Sequence, residues 1–146
     1  MSTYLDLRIH IIFATKHRQP LIHAEWRERL HGYLGGTLNG LGAAPLAIGG
    51  TEDHVHLLVA LRGNHSVADL VRETKKASTT WTRQEMGVRS FTWQEGYAAF
   101  SVGSEKEAVV HYIRNQEAHH QTRSSSEELR TLLEDAGVEI DERFFD

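Results

Sequence analysis

The sequence predicts an α+β domain: an antiparallel sheet with helices on one face and a C-terminal helical arm. Three observations lead there. Runs with two-residue alternation interleave with runs of helical periodicity, in the order β-α-β-β-α-β(β)-α-α. Two of the strand-like runs, 43–48 and 53–61, follow each other across only Gly49-Gly50-Thr51-Glu52, as antiparallel neighbours do. No repeat or compositional break divides the 146 residues, so a single domain, 1–146, is expected, with an acidic helix and tail over 127–146.

Each element has its own signal. Leu5-Asp6-Leu7-Arg8-Ile9-His10-Ile11-Ile12-Phe13-Ala14 alternates and is rich in branched residues, which predicts a strand. A polar basic loop, Thr15-Lys16-His17-Arg18-Gln19-Pro20, follows. Over 24–41, Trp26, Leu30, Tyr33, Leu34 and Leu38 recur at steps of three and four and predict a helix, weakened by Gly35-Gly36. Residues 43–48 and 53–61 are the paired strands. Ser66 is placed to cap a helix over 66–86 with an apolar stripe of Val67, Leu70, Val71, Thr74 and Ala77. Residues 91–93 and 97–102 read as a short aromatic strand pair. Ser104, with Glu107 three residues on, predicts a capped helix over 105–120. A last helix over 127–136 ends at Gly137. This order is that of a ferredoxin-like or RRM-like sheet.

Composition narrows the function. With no cysteine, disulfides, zinc fingers, iron–sulfur sites and thiol nucleophiles are excluded. No apolar run approaches a membrane span, and the first residues lack a signal-peptide pattern, so a cytoplasmic protein is expected. The net charge of −4 is unevenly placed. From Glu127 to Asp146, eight acids face two arginines, which leaves the preceding residues at +2. Such a mildly basic body can contact phosphate locally with modest, salt-sensitive affinity. Ten histidines invite a search for metal or proton chemistry.

Three groups carry chemistry. His54 and His56 lie two apart in the clearest strand, so both imidazoles face one side while Val55, Leu57 and Val59 face the other. That spacing suits one metal ion, although His-apolar-His also arises by chance. A histidine-triad hydrolase would need histidine where Leu58 stands. Tyr112 and Gln116 are four apart on one helix, one a latent nucleophile and the other an oxygen donor or an acceptor. An amphipathic surface tyrosine explains the same residue equally simply. His119 and His120 read as partners of the helix C-terminus with a possible phosphate contact. Arg72, Lys75, Lys76 and Arg83, with Thr79, Thr80 and Trp81, suit phosphate contact and base stacking, with Lys16 and Arg18 adding to that surface; a solvated helix face gives the same charges.

These pieces occur in an order that resembles the single-tyrosine HUH transposases, small bacterial enzymes, and within them the REP-associated branch. The matching stretches are Phe13-Ala14-Thr15-Lys16-His17-Arg18, Asp53-His54-Val55-His56-Leu57-Leu58-Val59, Trp93-Gln94-Glu95-Gly96-Tyr97, Tyr112-Ile113-Arg114-Asn115-Gln116, His119-His120 and Asp141-Glu142-Arg143-Phe144, spanning nearly the whole chain. The resemblance implies Mg²⁺ or Mn²⁺ held by His54, His56 and Gln116, with Tyr112 as nucleophile. It implies cleavage of single-stranded DNA beside a hairpin, a covalent 5′-phosphotyrosine, a released 3′-hydroxyl and later rejoining. It also implies DNA contacts from Lys16, Arg18, Arg72, Lys75, Lys76 and Arg114, and a homodimer whose active site is often shared between subunits. Two other functions compete: a DNA-binding module without turnover, and a zinc hydrolase using the histidines with Glu52 or Asp53. The second of these predicts that Tyr112→Phe keeps activity.

Overall fold

The computed structural model describes residues 2–119 and 123–145, apart from the side chain of His119. Strands β1 (Leu7–Ala14), β2 (Ala44–Gly50), β3 (His54–Leu61) and β4 (Ala98–Ser101) form one antiparallel sheet in the order β2-β3-β1-β4. That is the order of the ferredoxin-like arrangement. β1 and β3 are central and pair over their whole length, from Leu7 opposite Leu61 to Ala14 opposite His54.

Helices α1 (Arg27–Gly40) and α2 (Val67–Glu85) cover one face. Ile11, Phe13, Val55, Leu57 and Val59 point into them, against Leu30, Leu34, Leu38, Leu70 and Val71. Ser66 caps α2 as expected, its side chain accepting from the Asp69 amide. The opposite face carries α3 (Lys106–Arg114), α4 (Gln116–His119) and α5 (Ser125–Asp135), the C-terminal arm. Ile113 packs there on Ala47, Leu58 and Val102, and Leu129 on Ile12 and Ala98. Gly137, at φ +71°, ends the arm in the left-handed conformation that its residue type allows. Among the described residues, no helix is long and apolar enough to cross a membrane.

Three elements differ from the sequence reading. Only 98–101 of the aromatic pair is a strand; Phe91 and Trp93 instead enter the core, stacking edge-on with ring centroids 4.8 Å apart, and Trp93 reaches Thr15 through an isolated bridge. Burial of two large rings outweighs their strand propensity. Ser104 does not cap α3, whose N-cap is Glu105 without a side-chain bond. The long helix over 105–120 is broken at Asn115. Its amide nitrogen donates to the His111 carbonyl at 2.7 Å, so the side chain competes with the helical backbone.

Candidate active site

Alternation along β3 turns Val55, Leu57 and Val59 into the α1/α2 core and leaves His54 and His56 on the opposite face, as expected. The C-terminal helices then bury both imidazoles, which are 1% and 0% exposed. Their rings lie 5.0 Å apart between centroids.

Each imidazole is held at Nδ1. His54 Nδ1 is 2.8 Å from Asp53 Oδ1 and 3.0 Å from Thr51 Oγ1. His56 Nδ1 is 2.8 Å from Nε2 of His10, which is buried on neighbouring β1. A proton on His54 Nδ1 is favoured by Asp53, and His10 Nε2 can accept one from His56 Nδ1; that tautomer would turn both Nε2 lone pairs toward a bound cation. Gln116 Oε1 lies 3.1 Å from His54 Nε2, and Glu128 Oε1 lies 3.0 Å from His56 Nε2 and 4.0 Å from His54 Nε2. One ligand atom each from His54, His56 and Glu128 falls within 4.8 Å of the others. Two neutral imidazoles with a carboxylate and an amide oxygen suit a divalent ion such as Mn²⁺. Burial supports the neutral form: it lowers His56 to a pKa of about 3 and His10 to about 4, against the opposing pull of Glu128.

Tyr112 stands beside this cluster, its ring 5.6 Å from that of His56 and 6.3 Å from that of His10. Burial, and then the neighbouring Glu128 carboxylate, push its phenol well above the ordinary tyrosine range, while Gln116 and Arg123 pull the other way. Gln116 stays near Tyr112 across the break at Asn115, its Nε2 donating to the Tyr112 carbonyl at 3.3 Å.

The structure thus brings His54, His56, Gln116 and Tyr112 together. Three contributors escaped the sequence reading. His10 sits in a strand with no local sign of a role, although alternation places it on the face of His56. Asp53 was weighed only as a rival ligand and instead holds His54. Glu128 looked like one more acid in an acidic tail, yet it is 3% exposed.

The basic residues scatter. Lys16, Arg72, Lys76 and Arg114 are exposed, Arg72 pairing with Asp69 and Glu73. Lys75 binds the carbonyls of Gln94 and Gly96 over the Phe13 ring, and burial lowers its pKa to about 8. Arg18 donates to Ser125 Oγ at 2.9 Å and fastens α5. Trp81 packs against Trp26 and Tyr33 rather than offering a free stacking face. His120 and the His119 side chain lie outside the described residues.

Residues 3–116 match the family described as "Transposase IS200 like", and the chain belongs to that family. Transposases cut DNA and join strands, which is the general activity that membership gives this chain. A crystal structure from Deinococcus radiodurans R1, of a chain classed as a transposase, is 25% identical, with a TM-score of 0.67, over 80% of this chain and 95% of that one. The fold also matches a REP-associated tyrosine transposase bound to a REP hairpin, at 16% identity and a TM-score of 0.62, over 82% of this chain and 72% of that one. No curated protein matches the chain by sequence.

Proposed function

We propose that this chain is a metal-dependent single-stranded DNA transposase that cleaves and rejoins DNA beside hairpins through a covalent phosphotyrosine. The observation that carries the reading is Tyr112 packed against His56 of a buried His54–His56–Glu128 group able to hold a cation. In this reading His54 and His56 hold Mg²⁺ or Mn²⁺, with Gln116 and Glu128 supplying oxygens. The ion, when bound, withdraws charge from the scissile phosphate.

The Tyr112 oxygen attacks phosphorus, an Oη–P bond forms and the P–O3′ bond breaks. The phenolic proton passes to the Glu128 carboxylate beside it, and the departing 3′-oxygen takes up a proton from water, leaving a 3′-hydroxyl. One phosphodiester is exchanged for another, so a DNA 3′-hydroxyl can reverse the step without an outside energy source. Burial and the Glu128 carboxylate keep the phenol protonated; the positive charge of a bound cation would offset that negative field and ease loss of the proton.

A hairpin substrate is supported by the solved relative that holds one. DNA contacts fall to the exposed Lys16, Arg72, Lys76 and Arg114, whereas Lys75 and Arg18 hold the fold around the site. The protein acts in the cytoplasm, and two copies joining at a free sheet edge, β2 or β4, would make a homodimer. Incubation with labelled hairpin DNA and Mn²⁺ or Mg²⁺ should give a metal-dependent protein–DNA band on denaturing gels. That band should vanish in Tyr112→Phe. Cleavage that survives the substitution would mean that water is the nucleophile, and the reading would fail.

A further inference from the structure

A cavity of about 620 Å³ opens beside the histidine–tyrosine cluster, bounded by Arg27 and His31 of α1, Gly49 and Gly50 of β2, and Arg114 and Gln116. Its volume is within the roughly 300–1,000 Å³ of sites that hold small organic groups. Gln116 is common to the cavity and the cluster, so the cavity ends at the edge of the cluster.

The lining is suited to a nucleotide. Arg114 is exposed at one side and Arg27, paired with Glu117 at 2.7 Å, lies at another, with the carboxylates of Glu28 and Glu117 also at the wall. Nε2 of His31 is buried without a hydrogen-bond partner among the described residues. Burial keeps this imidazole neutral, with a pKa of about 4, so its Nε2 can donate to or accept from a base edge, according to the tautomer. Such a group is costly to leave unpaired unless something binds it.

The direction of attack says which nucleotide belongs there. Tyr112 packs on the His56 side of the cluster and does not line the cavity, which lies on the His54 side, across Gln116. In-line displacement sets the attacking and leaving oxygens on opposite sides of phosphorus. Resting on the phosphotyrosine reading above, we propose that the cavity seats the nucleotide immediately 5′ of the scissile phosphate, the one that departs with the 3′-hydroxyl, and that His31 reads its base.

Two measurements test this separately from the phosphotyrosine itself. In the first, Tyr112→Phe protein is bound to hairpin DNA carrying 4-thiothymidine at that nucleotide and irradiated. Crosslinks should map to the stretch 27–31 or to 114–116; crosslinks confined to other segments would overturn the seat. In the second, the nucleotide is varied over all four bases and single-turnover adduct formation is followed. Wild type should prefer one base by about tenfold, and His31→Ala and His31→Gln should reduce that preference to about threefold or less while still forming the Tyr112 adduct. An unchanged preference in both variants, with folding verified by thermal melting, would overturn the role of His31. A wild type that crosslinks in the cavity but forms no adduct would contradict the phosphotyrosine reading and leave the seat standing.

Discussion

At the scale of single residues, the site depends on what orients each imidazole. His54 is held by Asp53 and Thr51, and His56 by His10, so both rings are oriented toward the site before any ion arrives. Partners of this kind typically change metal affinity by about 10–100-fold. His10→Phe keeps a ring in the space but removes the acceptor for His56 Nδ1. Titration calorimetry should show Mn²⁺ binding about 10–100-fold weaker, with adduct formation recovering at high metal. Unaltered affinity would mean that His10 only fills space. The His54/His56 pair, Tyr112 and Gln116 were legible in the sequence because strand alternation and a four-residue helical step are local rules. His10 and Glu128 were not, because their roles arise from pairing between distant segments: Glu128 is 72 residues from His56 and reaches it only once α5 has docked.

Among the elements, β2 and α3 approach each other closely at Gly49. A Cβ built on Gly49 would overlap the Ile113 carbonyl oxygen, so α3 can lie this near the sheet only because residue 49 is glycine. α3 carries Tyr112 and leads into Gln116, so displacing it separates Tyr112, the proposed nucleophile, from the histidines. Gly49→Ala should therefore lower stability by about 1–3 kcal/mol in urea titrations and reduce adduct formation by more than tenfold. Wild-type stability and activity would mean that α3 moves freely on the sheet. Most elements followed from periodicity, and the misreadings share a cause. Phe91 and Trp93 look like a strand but are held by the core, and the helix over 105–120 breaks where the Asn115 side chain takes a backbone carbonyl. Both outcomes are decided by tertiary packing or side-chain competition, which periodicity does not register.

Across the whole molecule, the sheet separates two environments: a dry apolar core under α1 and α2, and a polar cluster roofed by α3, α4 and α5. Burying that cluster makes stability depend on pH. His10 and His31 are lowered to about 4 and His56 to about 3, against an ordinary value of 6.5. Above 6.5 these rings are neutral in both folded and unfolded chains. As pH falls below 6.5 the unfolded chain binds protons that the folded one refuses, so stability declines, at up to about 1.4 kcal/mol per pH unit for each histidine. The loss should run from about pH 6.5 down to 4 and, for His56, on toward 3. Urea midpoints of the metal-free protein should drop steadily from pH 7 to 5; a flat profile would mean that the histidines are not buried as described.

In the proposed reaction, strand exchange passes through Tyr112. Digesting the protein–DNA adduct with protease and nuclease and sequencing the modified peptide by mass spectrometry locates the bond directly. The expected result is a 5′-phosphorylated nucleotide on Tyr112, formed only with divalent metal, and a free 3′-hydroxyl on the other DNA fragment. A modification on any other residue, or cleaved DNA with an unmodified Tyr112 peptide and a free 5′-phosphate, would contradict it.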